Sequence, residues 1–107
     1  MKFRDAKNKC KSDGAYLAFP RSNAENTFIA DFILSHDDEL WIGVNDIDEE
    51  GRFFTVDGLE VSYTNWYGSQ PNGDGDGVVI DYDGEWWDRG MSDEYGFVCM
   101  YQIDGEL

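Results

Sequence analysis

Between Gln70 and Asp88 the chain reads QPNGDGDGVVIDYDGEWWD, and almost every polar side chain in that stretch offers oxygen. Gln70 and Asn72 bracket Pro71, and Asp74 and Asp76 alternate with Gly73, Gly75 and Gly77. After Val78-Val79-Ile80 and an Asp83-Gly84 pair, the stretch closes on Trp86-Trp87-Asp88. Carboxylates and side-chain amides packed this densely are hard ligands of the kind Ca²⁺ takes. The glycines allow backbone and side-chain oxygens to converge on one point. Asn, Asp and Gly are also the commonest turn formers, so composition alone leaves a plain solvated turn open.

The elements that must position such a loop follow from the rest of the chain. At 107 residues there is material for one domain with a real core, and not for two. Four Trp, six Tyr and seven Phe argue for a packed globule despite a formal charge of −15. That charge makes nucleic acid and anionic membranes poor partners and suits cations. No apolar run approaches the roughly 20 residues of a membrane span. No signal-peptide pattern precedes the first helix, which reads Met1 as an artificial start or as the edge of a domain taken from a longer chain. Cys10 and Cys99 are too far apart for a CxxC motif. They are either two buried thiols or a pair closing a loop of about 90 residues.

In chain order, residues 3–11 carry Phe3, Ala6 and Cys10 at helical spacing, and Ser12-Asp13-Gly14 gives the stop. Ala15 to Phe19 is a short apolar segment ended by Pro20. Ser22-Asn23-Ala24-Glu25 has the form of a capping box, so a second helix starts there. Its expected apolar face is Ala24, Phe28, Ile29, Phe32 and Ile33, and His36 lies on the surface just past its end. From residue 39 the pattern turns to strands: 40–44, 52–56, an alternating stretch 59–66, 78–82, 85–88 and 97–101. Asp83-Gly84 sets a hairpin between the fourth and fifth of these. Helices first and strands after give an α+β class rather than a βαβ repeat.

Taken in order, these pieces resemble the C-type lectin-like domain. The resemblance rests on Phe3-Arg4-Asp5-Ala6 with Cys10, Ala15-x-Leu17-Ala18, the capped Phe28-Ile29 helix, and Trp41-Ile42-Gly43-Val44. It continues through Glu50-Gly51-x-Phe53, Tyr63-x-Asn65-Trp66, Gln70-Pro71-Asn72, Trp86-x-Asp88 and Phe97-Val98-Cys99, and so spans residues 3 to 101. It implies two helices packed on small antiparallel sheets with a long ligand-binding loop. It also implies a disulfide between Cys10 and Cys99. The family's inner pair is absent, with Gly77 and Met91 standing where those cysteines would fall. The first strand, which normally precedes the first helix, has no counterpart: either it is cut away at Met1, or Tyr101 to Leu107 covers that edge.

For the loop, the resemblance implies one Ca²⁺ whose coordination two vicinal sugar hydroxyls complete, beside a cis Pro71. Glu-Pro-Asn goes with mannose-type sugars and Gln-Pro-Asp with galactose-type. Gln70-Pro71-Asn72 is a mixture, and its two amides blur the donor and acceptor asymmetry that sorts them. The closing Trp-Asn-Asp motif reads Trp86-Trp87-Asp88, so Trp87 stands in place of a ligand. The expected primary calcium site is Gln70, Asn72, Asp74 and Asp88, a set suited to weak extracellular binding at roughly 10⁻⁴–10⁻³ M. Asp46, Glu50 and Asp76 match a second calcium site, with an acidic turn at 45–50 as the plain alternative. Trp86, Trp41 and Trp66 match core positions, which leaves Trp87 at the surface to stack on a sugar or anchor a protein.

Two functions of different kinds follow. One is a non-catalytic, Ca²⁺-dependent module for glycans or glycoproteins, with Gln70, Asn72, Trp87 and Asp88 contacting the ligand. The other is an adhesion domain of the same fold that binds a protein or surface, with calcium structural or absent. Catalysis is disfavoured because a single histidine supplies no Ser-His-Asp or Cys-His set. The resemblance places the chain outside the cell, secreted or at the cell surface, where a disulfide persists.

Overall fold

The computed structural model describes residues 1–33, 38–73 and 75–101. The expectations for His36 and Asp74, and for the tail beyond Tyr101, lie outside the described residues.

The first helix, α1 (Phe3–Ser12), buries Phe3, Ala6 and Cys10, the stripe its spacing predicts. Phe3 meets the Trp41 ring edge-on at 5.4 Å. The chain turns out of α1 at Gly14 (φ +77°), and Ala15 N–H donates to Cys10 O at 2.9 Å. The strand β1 (Tyr16–Leu17) then pairs antiparallel with the last strand, Cys99–Met100, setting Leu17 opposite Cys99. The Cys10–Cys99 disulfide bolts α1 to that small sheet, as the resemblance implies.

The second helix, α2 (Asn23–Ala30), is shorter and differently faced than the sequence suggests. Ser22 Oγ accepts from Glu25 N–H at 3.2 Å, while Glu25 Oε1 accepts from Arg21 N–H, one residue before the cap. The buried stripe is Asn26, Ile29, Ala30 and Ile33; Phe28 and Phe32 are 65% and 48% exposed. The apolar pattern misplaces the face because its key member is polar. Asn26 Nδ2 donates to Gly84 O at 2.7 Å, and its Oδ1 accepts from Trp86 Nε1 at 2.8 Å. A buried amide with both ends satisfied adds no desolvation penalty and ties α2 to the hairpin that carries the loop.

The main sheet has the strands β2 (Leu40–Asn45), β3 (Phe54–Thr55), β4 (Gly77–Ile80), β5 (Trp86–Arg89) and β6 (Gly96–Phe97). Its order is β3-β2-β4-β5, with β6 parallel to β2; the other pairings are antiparallel. The Asp83-Gly84 turn joins β4 to β5 as expected. Asp81 Oδ1 accepts from the N–H groups of Asp83 and Glu85 and holds the turn. The alternating stretch 59–66 does not form a strand: it makes only isolated bridges, Glu60 with Phe54 and Trp66 with Trp86. The last expected strand is split, because Gly96–Phe97 joins β2 while Cys99–Met100 (β7) joins β1. Among the described residues β7 is paired on one edge only.

Two apolar clusters follow from this layout. One, holding Ile29, Ile42, Val78, Ile80 and Trp86, fills the space between α2 and the main sheet. The other packs Phe3, Cys10, Leu17, Trp41 and Val79 under α1. The architecture is α+β, and the loop after Trp66 leads into β4 at Gly77, opposite Arg89 at the end of β5.

Candidate functional site

The loop between Trp66 and β4 is held at both ends. At its start, Tyr67 N–H donates to Trp86 O (3.0 Å) and Gln70 N–H donates to Tyr67 O (2.7 Å). The Gln70–Pro71 bond is cis. Near its end, Gly75 lies flat on the end of β5: a Cβ there would stand 2.1 Å from Arg89 O. Only glycine allows that approach.

Asp88 is the centre of the arrangement. It sits on β5 opposite Val78 and is 1% exposed. Its Oδ2 accepts from Gly73 N–H at 2.8 Å, and its own N–H reaches Gln70 Oε1 at 3.3 Å. Its Oδ1 is buried and has no hydrogen-bond partner among the described residues. An ionised oxygen shut away from water without a donor is costly unless a cation compensates it. Gln70 and Asp88 are thus in contact, and exposed Asn72 lies in the same turn, beside Gly73.

Trp87 does not face this group. Successive strand residues point to opposite sides of the sheet, and Trp87 projects away from the side taken by Trp86 and Asp88. It is half-buried rather than freely exposed; its Nε1 donates to Asp81 Oδ2 at 2.8 Å, and its ring stacks on Tyr67 at 4.2 Å. The Arg89 guanidinium lies 5.0 Å over the indole. The outer aromatic of this stack is Tyr67, 44% exposed, a residue the sequence motifs did not single out.

The second cluster is brought together as well. Potential ligand oxygens of Asp46, Glu50 and Asp76 lie within 4.8 Å of one another. Asp46 is 3% exposed; its Oδ2 accepts from Gly51 N–H at 3.0 Å, and its Oδ1 is buried without a partner. Burial, and then the neighbouring Asp76 charge, hold the Asp46 carboxyl above its usual range, although the Gly51 N–H pulls the other way. The Asp46 charge likewise raises Glu50. Two clusters, each with one orphaned carboxylate oxygen and oxygen-rich surroundings, fit Ca²⁺ by donor chemistry.

The raised carboxyls give a testable pH dependence. In chelator, the folded state binds these protons more tightly than the unfolded chain does. As pH rises from the ordinary carboxylate values through the raised folded ones, both groups ionise under repulsion and stability falls. Melting curves in EDTA across that window should show Asp46→Asn flattening the fall relative to the native chain. An unchanged slope would remove Asp46 as its source.

The inner disulfide's place is filled by other atoms. A Cβ on Gly77 would lie 2.7 Å from the Trp41 ring and 3.3 Å from Met91 Sδ. Met91 and Trp41 occupy the space where the second bridge is lacking. The Lectin C-type domain family model matches residues 1–101.

The chain belongs to the C-type lectin domain family. It is 35% identical to Lectin BRA-3 of Megabalanus rosa over 98% of its own length and 68% of that protein's. It is 36% identical to the mannose-binding protein of Gallus gallus over 86% of the chain, which spans 37% of that relative. The carbohydrate-recognition domain of the mouse scavenger receptor C-type lectin superposes with a TM-score of 0.85 at 30% identity, covering 92% of this chain and 80% of that one. Members of this family typically bind Ca²⁺ and are generally non-catalytic. No helix among the described residues is long and apolar enough to cross a membrane.

Proposed function

We propose that the chain is a non-catalytic, Ca²⁺-dependent carbohydrate-binding module that acts outside the cell on glycans or glycoproteins. The observation that carries this reading is the buried Asp88 carboxylate, held by Gly73 N–H and touching Gln70 through its backbone, with one oxygen left unpartnered. Gln70, Asn72, Asp74 and Asp88 would hold the primary ion, and Asp46, Glu50 and Asp76 a second. The ion supplies a positive centre that hydroxyl oxygens can approach. The chain's own part is to gather oxygens and keep Asp88 dry, so that binding of the ion relieves an uncompensated charge. Family membership and the mannose-binding relative support a sugar as the ligand.

The second reading, an adhesion surface for a protein, is favoured by one observation. Trp87 has left the ligand position and props up an exposed Tyr67. A melt in EDTA and in CaCl₂, followed by glycan screening under both conditions, separates the two. For a site of about 10⁻⁴ M, a roughly 100-fold excess of free ion adds about 2.7 kcal/mol. For a domain of this size that is a rise of roughly 10–20 °C. No shift would end the calcium reading. A shift without glycan binding, together with a partner lost on Tyr67→Ala or Trp87→Ala, would establish the protein-binding one.

A further inference from the structure

Five of the eight cationic side chains, Lys2, Arg4, Lys7, Lys9 and Lys11, lie in the first eleven residues, against a single acid there, Asp5. In a chain of net charge −15 this is a strong segregation. The other three cations are engaged: Arg52 pairs with Glu49 and Glu60, Arg89 with Glu39, and Arg21 lies over Phe19. Among the described residues no ion pair involves an α1 side chain. Lys9 and Lys11 in the last turn suit the helix dipole, but Arg4 in the first turn opposes it. Helix stability therefore does not account for the stripe.

Arg4, Lys7 and Lys11, at i, i+3 and i+7, share one flank of α1 beside its buried stripe. Two clefts open along that flank, of about 570 and 330 Å³, and both are lined by Lys7 and Val56. Lys11 borders the first and Arg4 the second, so the three cations form a rail along two adjoining clefts that share Lys7 and Val56, together a trough. Asp57, Asp48 and Glu49 stand at the trough's other borders as hydrogen-bond acceptors. None of the exposed large apolar side chains lines either cleft. The apolar lining, Tyr16 and Leu17 in the first cleft, Ile47 and Phe54 in the second and Val56 in both, is buried or half-buried, while the exposed lining residues are charged or glycine.

The geometry points to a second binding surface on α1 that takes a linear anionic oligosaccharide, its sulfate or carboxylate groups on the Arg4–Lys7–Lys11 rail and its hydroxyls toward the acceptors. Of the carboxylates bordering the trough, Glu49 is already paired with Arg52, so the three cations of the rail face two uncompensated acids, Asp48 and Asp57. At physiological salt the Debye length is about 8 Å, and more distant acids are screened. This surface is separate from the loop of Asp88 and needs no calcium.

The test is titration of the whole chain, in EDTA and about 0.15 M salt, with sulfated dextran oligomers, unsulfated dextran and poly-glutamate. Sulfated dextran should bind, weakening as salt rises, and the other two should not. Lys7→Gln/Lys11→Gln should lose about tenfold or more in affinity. Lys2→Gln/Lys9→Gln, which removes the same charge from elsewhere, should lose little. Equal losses in the two double variants would overturn the rail. Equal binding of poly-glutamate would replace the glycan with an acidic protein, and no binding would end the proposal. Circular dichroism checks each fold; if the first double variant is unfolded, exposed Lys11→Glu alone carries the comparison.

Discussion

Asp88→Asn is expected to abolish the calcium-dependent rise in melting temperature while leaving the metal-free protein close to its native stability. The substitution conserves volume, and the amide oxygen can still accept from Gly73 N–H in place of Oδ2. What it removes is the charge on the oxygen that has no partner. Without metal that charge is a burden, so its loss costs the apo fold little; with metal it is the strongest donor of the set. Altering residues one step removed from a metal typically costs about 10–100-fold in affinity, and loss of a direct ligand should do at least as much. Calorimetric titration of CaCl₂ into both proteins, with melts alongside, gives the comparison. A native-like calcium response in Asp88→Asn would place the ion elsewhere, and Asp46→Asn would then be the variant that removes it.

The largest loss of stability should come from opening the Cys10–Cys99 bond. The two residues are 89 positions apart, and closing a loop of that length is worth about 4–5 kcal/mol in the chain-entropy account. Domains are stable by only about 5–15 kcal/mol, so the bond represents a large share. The structure sharpens the expectation, because β1 and β7 are two residues each and form a sheet of their own. With Cys10 on the fully buried stripe of α1, the bond fastens that small sheet to the helix. The Cys10→Ala/Cys99→Ala variant should melt on the order of 20–30 °C lower. A drop of only a few degrees would show that packing of Phe3, Leu17 and Trp41 holds α1 in place without the bridge.

Much of this molecule was legible beforehand where local chemistry and tertiary packing agree. The α1 stripe, the Gly14 stop, the Asp83-Gly84 hairpin and the buried 41–44 segment all follow from spacing and turn chemistry. The pairing of Cys10 with Cys99 and the cis Gln70–Pro71 bond came from the family resemblance, and the structure shows both. The errors have a common cause. The α2 face was misread because its stripe runs through a polar Asn26 whose partners, Gly84 and Trp86, lie some 60 positions away. The 59–66 alternation has the pattern of a strand, but it pairs only at its two ends, Glu60 with Phe54 and Trp66 with Trp86, on different partners. In the candidate site, Gln70 and Asp88 are two of the residues the resemblance implies, and Asp88 N–H meets Gln70 Oε1. The roles of Gly73 N–H, Gly75 and Tyr67 were not identified, since each depends on which backbone comes near rather than on residue type.

The displaced indole has an optical consequence. Of the four tryptophans, Trp41 and Trp86 are fully buried and Trp66 and Trp87 half-buried; Trp87 is covalently next to Asp88, with an aromatic ring and a guanidinium against it. Any shift of β5 or of the Tyr67 end of the loop changes the polarity and quenching around that one fluorophore. The unmodified protein therefore carries its own emission probe on the strand that holds Asp88, on the opposite face from the carboxylate, and Trp87→Phe supplies the blank. A cation taken up at Asp88 that moved β5 or the Tyr67 end of the loop would then be readable without a label.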